Sequence, residues 1–167
     1  SNSGSSLGIS KVINESEILQ ALEKAREIDP RILVEEGLDV REIECGIIGN
    51  TKKLLTSEIG EVKYENDWYD YDSKYNSNNK ITIPAEIDSK ITKEIKEIAI
   101  QSCRALNIFG FARVDFFLEK SSNKIFLNEI NTIPGFTQKS MFPMLWKASG
   151  LNIEQLVAKL VDISLDL

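Results

Sequence analysis

Apolar residues recur along the chain at two spacings, and each spacing predicts a different kind of element. A spacing of three and four residues predicts helices over residues 14–28, 88–108 and 152–166. Asn14 and Asp88 stand at the start of two of them, where their side chains can cap the helix. The residues expected to face the core are Ile18, Leu19, Leu22 and Ala25 in the first helix, Ile91, Ile95, Ile98, Ser102 and Leu106 in the second, and Leu156, Val157, Leu160 and Val161 in the third.

Shorter apolar or alternating segments predict strands. Residues 31–36 and 41–48 are expected to form two strands joined by a turn at Gly37. The Ser/Gly-rich residues 1–12 are expected to form a loop that passes into a short strand. Residues 66–80 are polar and lack a clear period, so we expect a long surface loop there.

Two further strand-like segments carry polar side chains among apolar ones. In GFARVDFFL (110–118), alternation places Phe111, Arg113, Asp115 and Phe117 on one face. The other face then holds Ala112, Val114, Phe116 and Leu118. In the following segment, alternation places Ile125, Leu127, Glu129 and Asn131 on one face. Both segments therefore combine an apolar character with a charged or amide-bearing face.

The short polar connection between these segments, residues 119–124, predicts a hairpin. A turn centred near Ser122 places Asp115 opposite Glu129 and Arg113 opposite Asn131. Opposed carboxylates repel, so the pair requires a cation, and an oxygen-only ligand set suits Mg²⁺. Each residue taken singly fits a solvent-facing strand with scattered charges, whereas the joint register followed by Pro-Gly favours a metal site.

The composition narrows the classes of function. The chain has 167 residues, a formal net charge of −6 and no His, which argues against nucleic-acid and anionic-membrane partners and excludes Ser-His and Cys-His nucleophile pairs. Cys45 and Cys103 lack metal-site spacing and lie in apolar segments, so we expect buried free thiols in a reducing cytoplasm. No apolar run is long enough to span a bilayer.

The segments ARVDFFL and FLNEINTIPGFT, in this order, resemble the ATP-grasp ligases and, most closely, the D-alanine–D-alanine ligase family. The resemblance covers nearly the whole chain. It implies that Asp115 and Glu129 hold two Mg²⁺ ions, with Mn²⁺ as a substitute, and that Asn131 completes one coordination shell. It also implies that Arg113 and the backbone N–H of Gly135 stabilise the oxyanion of a tetrahedral intermediate.

The segment VEEGLDVRE resembles the strand of this family that binds adenine and ribose. By that likeness Glu35 accepts a hydrogen bond from the adenine amino group, and the backbone of Glu36 and Leu38 pairs with the ring edge. Glu42 binds the ribose hydroxyls. Trp68 is a candidate for stacking on the adenine.

Three loops resemble the family in the parts that contact phosphate and acceptor. In DYDSKY, Lys74 contacts the γ-phosphate and Tyr75 closes the acceptor side. Ser5 belongs to the Ser/Gly loop over the phosphates. Ser140 and Met141, at the start of a helix expected over residues 140–148, contact the acceptor carboxylate.

The resemblance implies an α+β fold, the ATP-grasp C-terminal domain, with a mostly antiparallel sheet flanked by helices. Residues 1–36 are expected to be a remnant of the smaller ATP-grasp lobe, and residues 37–167 the C-terminal domain with a mobile loop at 66–80. We expect an N-terminally truncated fragment, inactive alone, of a cytoplasmic and homodimeric ligase.

The implied reaction is the ATP- and Mg²⁺-dependent joining of two D-alanines through an acyl phosphate, for peptidoglycan precursor synthesis. D-Ser or D-lactate as acceptor, and another ATP-grasp carboxylate–amine ligation, remain alternatives of the same class. A nucleotide-binding module without catalysis is an alternative of a different class. ATP and D-alanine are the expected partners.

Overall fold

A computed structural model of the chain describes residues 7–50, 52–63 and 80–165, which divide into two compact units. Among the described residues, the first unit includes 7–38, and the second includes 39–63 and 81–165. The assignment of the first segment to a smaller ATP-grasp lobe stays a prediction.

The first unit contains the predicted N-terminal helix, which begins as a short 3-10 helix at Glu15–Glu17 and continues as α1 (Ile18–Arg26). The carboxylate of Glu17 accepts hydrogen bonds from the backbone N–H groups of Ile13 at 3.0 Å and Asn14 at 3.4 Å. These bonds satisfy donors that the start of a helix leaves without partners, which is the function of a capping box.

The two strands predicted within the first unit are wrong. Residues 9–12 and 31–36 have no strand pairing, and the side chains of Leu33 and Val34 are 73% and 84% exposed. An apolar run becomes a strand only when a neighbouring strand accepts its backbone hydrogen bonds, and the described residues provide no such neighbour.

The second unit is built on a five-stranded sheet in the order β3-β2-β1-β4-β5. Its strands are β1 (Val40–Gly49), β2 (Leu54–Lys63), β3 (Lys80–Thr82), β4 (Gly110–Glu119) and β5 (Ile125–Asn131). The β2–β1, β1–β4 and β4–β5 pairs are antiparallel, so the expected mostly antiparallel α+β architecture is confirmed.

One face of the sheet is covered by α2 (Ser89–Ala105), which begins at the predicted cap, where the Asp88 side chain accepts from Lys90 N–H at 2.7 Å. Its buried side chains belong to the first core cluster. That cluster consists of Ile43, Cys45, Ile47, Leu54, Ile59, Ile95, Ala99, Cys103, Ala112, Val114, Phe116 and Leu118. The predicted inward face of β4 is therefore confirmed.

The opposite face is partly covered by α3 (Met141–Ala148) and α4 (Ile153–Leu165). Their core, with Ile48, Phe142, Trp146 and Leu156 at its centre, lies towards the end of the sheet where β1 finishes and β4 begins. Gly46 and Gly60 permit this approach, because a Cβ atom there would lie 2.8 Å from Trp146 Nε1 or Leu145 Cδ2. The remaining part of this face carries the polar residues.

The β4–β5 hairpin contains a bulge that the sequence did not indicate. Phe116 pairs with Leu127 and Asp115 with Glu129, so Asn128 is an extra residue on β5. The predicted pairing of Asp115 with Glu129 is confirmed, but the predicted common face is wrong. Ile125 and Leu127 pair with core-facing residues of β4, and only Glu129 and Asn131 lie on the polar face.

The predicted core-facing stripes of all three helices need correction. In α1 no side chain is buried, and Ile18 and Leu19 are 42% and 74% exposed. In α2 the buried residues are Ile95, Ala99 and Cys103, whereas Leu106 lies beyond the helix and is 63% exposed. In α4, Leu156 is buried, but Val157 and Val161 are about half exposed. Leu160 and Ile163 pack inward with Leu156 instead. Spacings of both three and four residues fit a helix, and tertiary packing selects between them.

Candidate active site

Three carboxylates lie in one row across the polar face of the sheet. Glu44 of β1 is directly opposite Asp115 of β4, and Asp115 is directly opposite Glu129 of β5. The neighbouring row brings Arg113 opposite Asn131, as predicted. Residues opposed in an antiparallel pair have Cβ atoms about 5 Å apart, so this patch places one guanidinium among three acids.

Arg113 is bound tightly to Asp115. Its Nε and Nη2 donate to the two carboxylate oxygens of Asp115, both at 2.7 Å. The same Nε lies 2.9 Å from Glu44 Oε2. Burial alone would lower the pKa of Arg113, but the hydrogen bonds to Asp115 and the charges of Glu44 and Glu129 raise it above its ordinary value. Arg113 is therefore a permanent cation fixed between two strands.

Glu44 is the acidic residue of this row that the sequence analysis did not assign to the site. The pKa of Glu44 is raised to about 8. Burial is the largest cause and the charge of Asp115 the next, and the charge of Arg113 offsets them only in part. The signal in the sequence was its alternation with Ile43 and Cys45, which places it on the face opposite the core. The pairing of β1 with β4 was needed to bring it to Asp115.

Asn131 connects the two carboxylates predicted to bind metal. Its Nδ2 donates to Asp115 Oδ2 at 2.9 Å and to Glu129 Oε1 at 3.2 Å. In the parts of the chain that the structure describes, no three acidic or thiol side chains surround one cation position. The predicted set contains two carboxylates and one amide, and rotation of the Asn131 amide offers its oxygen in place of Nδ2. These hard oxygen donors fit Mg²⁺.

The segment after β5 begins directly beyond Asn131, the last residue of the strand. Pro134 is buried and Gly135 is exposed, and a Cβ atom on Gly135 would lie 3.0 Å from Ser140 Oγ. Ser140 Oγ accepts from Thr137 N–H at 3.0 Å, and the Ser140 N–H donates to Thr137 O at 2.9 Å. This compact turn leads directly into α3, whose span Met141–Ala148, with Ser140 at its N-cap, confirms the helix predicted over residues 140–148 to within one residue.

The side chain of Met141 is buried, so it is not positioned to contact a ligand. Its side chain is 6% exposed, and its sulfur would lie 2.9 Å from a Cβ atom on Gly60. Any contact with an acceptor carboxylate must therefore come from backbone N–H groups at the start of α3. These groups have no partners within a helix and favour anions.

The residues predicted to bind nucleotide fall in different parts of the chain. Glu42 lies on the polar face of β1, opposite Phe117, and its charge contributes to the raised pKa of Glu44. Glu35 and Glu36 are exposed and Leu38 is half-buried, all in the first unit. Ser5, Trp68, Lys74 and Tyr75 lie outside the described residues. So does the predicted loop at 66–80, except for Lys80, which begins β3.

Both cysteines are buried free thiols, as predicted. Burial raises the pKa of Cys45 to about 12 and that of Cys103 to about 11, so both thiols stay protonated at neutral pH. Within the described ranges, the helices are too short or too polar to cross a membrane.

Comparison with known proteins gives independent evidence on the family to which this chain belongs. The model of the family described as D-ala D-ala ligase C-terminus matches residues 1–162. D-alanine--D-alanine ligases from Prochlorococcus marinus strains MIT 9215 and MIT 9312 are 90% and 89% identical over all 167 residues, which correspond to 47% of each relative. The chain therefore spans about half the length of these curated relatives.

Solved structures that are similar to this chain also carry the names of ligases. The VanG D-Ala:D-Ser ligase from Enterococcus faecalis matches 95% of this chain and 46% of its own, at 38% identity and a TM-score of 0.84. The D-alanine-D-alanine ligase from Coxiella burnetii matches 98% of this chain and 42% of its own, at 35% identity and a TM-score of 0.82. The chain belongs to the D-ala D-ala ligase C-terminus family.

Proposed function

We propose that this chain is the C-terminal, metal-binding part of an ATP-dependent ligase that joins two D-alanines to D-alanyl-D-alanine, a peptidoglycan precursor. The observation that carries the proposal is the row Asp115–Glu129 with Arg113 and Asn131 beside it. The family membership, and the relatives named D-alanine--D-alanine ligase, point to the same reaction. Cytoplasmic location and a homodimeric intact protein are part of this proposal.

In the proposed reaction, ATP transfers its γ-phosphate to the carboxylate of the first D-alanine and leaves as ADP. The amine of the second D-alanine then attacks the carbonyl carbon of the acyl phosphate, loses a proton and displaces inorganic phosphate. Asp115, Glu129 and Asn131 hold two Mg²⁺ ions, for which Mn²⁺ can substitute, and bound Mg²⁺ supplies charge neutralisation on the phosphates. The residues of the chain act by positioning and by charge, and no covalent enzyme intermediate is required.

Arg113 and the Gly135 N–H are proposed to stabilise the negative oxygen that develops when the amine attacks. Arg113 suits this role because it is held on the sheet and its pKa is raised above its ordinary value, so the guanidinium stays charged at neutral pH. Ser140 and the backbone at Met141 are proposed to bind the acceptor carboxylate. Lys74 and Tyr75 are proposed to contact the γ-phosphate and to close the acceptor side, and Ser5 to contact the phosphates.

The nucleotide is proposed to bind through Glu35, Glu36, Leu38 and Glu42, with Trp68 stacked on the adenine. Glu42 supports this assignment best, because it lies on the same sheet face as Asp115. A carboxylate at a strand position beside the metal row can accept both ribose hydroxyls.

A thermal-shift titration of the 167-residue chain with Mg-ATP tests the proposal. At about 100 times Kd, ligand binding stabilises the folded chain by about 2.7 kcal/mol, or roughly 5–10 °C for a domain of this size. Glu129→Gln and Asp115→Asn should each abolish most of this shift. Glu119→Gln is the matched control, since it removes one charge from the same face of β4 at a distance from the row.

A shift that is equal in all four chains would overturn the metal assignment. A shift that occurs with ATP alone and does not require Mg²⁺ would favour the alternative of a nucleotide-binding module without catalysis.

The acceptor is a separate question, because the chain is similar to a D-Ala:D-Ser ligase as well as to D-alanine ligases. We propose D-alanine as acceptor on the basis of the curated relatives. Competition between D-Ala, D-Ser and D-lactate in the intact protein, with products separated by chromatography, tests this choice. Preferential formation of the D-Ala-D-Ser product would replace it.

A further inference from the structure

Glu44 occupies an unusual position relative to Arg113. The two carboxylates nearest to the guanidinium come from adjacent strands in direct register, Glu44 on β1 and Asp115 on β4. The Arg113 Nε lies 2.7 Å from Asp115 Oδ1 and 2.9 Å from Glu44 Oε2. Its N–H is directed to Asp115. Among the described residues, the buried Glu44 Oε2 has no hydrogen-bond partner. Arg113 therefore has an alternative acceptor already in place.

We propose that Glu44 is a positioning residue that keeps Arg113 on the sheet when a divalent cation binds Asp115. This inference rests on the proposed function, because it requires metal binding at Asp115. In the described arrangement both carboxylate oxygens of Asp115 accept hydrogen bonds from Arg113. A cation at Asp115 competes for the same lone pairs and repels the guanidinium. When the hydrogen bond of the Nε–H is redirected from Asp115 to Glu44 Oε2, 2.9 Å away, Arg113 keeps an acceptor that the cation does not occupy.

The neighbouring residues cannot take this role equally well. Glu129 is exposed and belongs to the proposed metal ligands, and Asn131 Nδ2 already donates to Asp115 and Glu129. Glu44 is only 9% exposed and lies on β1, a central strand flanked by β2 and β4. A carboxylate fixed in this way can hold Arg113 at one position before and after metal binding.

The test follows the Arg113 side chain directly by NMR. In the ¹⁵N-labelled chain, the Nε–Hε resonance of Arg113 is assigned by its loss in Arg113→Lys, and Mg²⁺ is then titrated. In the wild type, we expect the proton to stay protected from solvent exchange with Mg²⁺ bound. In Glu44→Gln, we expect exchange about tenfold faster and Mg²⁺ affinity about tenfold lower, as for the loss of one charge-assisted hydrogen bond. Without Mg²⁺, the two chains should show the same protection.

Two further variants separate position from charge. Glu119→Gln also removes one negative charge from this face of the sheet and should behave as the wild type. Glu44→Asp keeps the charge but withdraws the carboxylate by one methylene, so it should lose protection as Glu44→Gln does. It also replaces Glu44→Gln if that variant does not fold.

The outcomes distinguish the two proposals. A wild-type chain that shows no response to Mg²⁺ overturns the proposed metal site and, with it, the role of Glu44. A wild-type response that is unchanged in Glu44→Gln, or that is fully kept in Glu44→Asp, overturns the positioning role alone.

Discussion

The two faces of the sheet each carry a partly buried arginine–carboxylate pair, but the charges around the two pairs are balanced differently. On the face covered by α2, Arg41 donates to both oxygens of Glu61 at 2.7 and 2.8 Å, and Lys63 lies 3.4 Å from the same carboxylate. On the opposite face, one guanidinium is shared among Glu44, Asp115 and Glu129. Counted over the described residues, the first cluster has no deficit of positive charge, whereas the second has one.

The pKa values record this difference. Burial alone would raise the pKa of Glu61, but Arg41 and Lys63 hold it below its ordinary value. The pKa of Glu44 moves in the opposite direction, to about 8. A fully compensated pair contributes to the fold, while an excess of buried carboxylates is costly until a cation arrives. The opposite directions of the two pKa shifts therefore distinguish a structural ion pair from a candidate binding site without reference to any relative.

The largest effect is expected from breaking the compensated pair. Glu61→Gln leaves the Arg41 guanidinium without its carboxylate, and we expect the free energy of unfolding to fall by about 3–5 kcal/mol. Thermal unfolding measures this loss, which corresponds to roughly 10 °C for a domain of this size. Glu58→Gln is the control, because its 4.0 Å ion pair with Lys96 is partly exposed and should contribute less than about 1 kcal/mol. Equal losses in the two variants would contradict the assignment of a structural pair.

An intermediate effect is expected when Mg²⁺ is added to variants of each cluster. Glu61→Gln should start from a lower unfolding temperature and still be stabilised by Mg²⁺ as much as the wild type. Asp115→Asn should unfold near the wild-type temperature without metal and gain nothing from Mg²⁺. At saturating metal the difference amounts to about 1–3 kcal/mol, measured by calorimetry with and without MgCl₂. Loss of the Mg²⁺ response in Glu61→Gln would contradict the separation of the two clusters.

The smallest effect is a difference in the sign of pH dependence. The folded state holds an extra proton on Glu44 between the pKa of an unfolded Glu, about 4.3, and about 8, so this residue lowers stability as pH rises through that range. Glu61, with its lowered pKa, stabilises above about pH 4 and loses that contribution on acidification. Metal-free Glu44→Gln should therefore exceed the wild type by about 1 kcal/mol at pH 9 and converge with it at lower pH.

Unfolding of the three chains from pH 3 to 9 checks these signs. The difference between the wild type and Glu61→Gln should shrink only below about pH 4. Parallel curves for the wild type and Glu44→Gln between pH 6 and 9 would contradict the account of Glu44.

Local sequence carried enough information for one side of the site. The short connection after β4 limits how the two strands can pair, and the alternation of β4 identifies its polar face. Arg113, Asp115, Glu129 and Asn131 could therefore be placed together in advance. Glu44 could not, because some 70 residues separate it from Asp115 and no turn sets the β1–β4 register.

An irregularity of the same kind as the β5 bulge accounts for β2, one of the two strands that were not predicted. In β2, Thr56 pairs with Ile47 and Ile59 with Cys45, so this strand also carries an extra residue, at Ser57 and Glu58. At this irregularity, the Ser57 hydroxyl accepts a hydrogen bond from the Gly46 N–H at 2.8 Å. A bulge interrupts the alternation by which a strand is detected, and LLTSEIGEVK therefore showed no regular period.

Because Asn128 is an extra residue in β5, the length of the β4–β5 hairpin can change by one residue without changing which side chains lie on each face of the sheet. Without Asn128, the strand would keep the pairs Phe116–Leu127 and Asp115–Glu129 and would lose only the local bend. Relatives can therefore differ by one residue between these two carboxylates and still present both on the same face. In a sequence alignment of such relatives, the gap belongs at the bulge, since a gap placed in the turn would assign Ile125, Phe126 and Leu127 to the wrong face of the sheet.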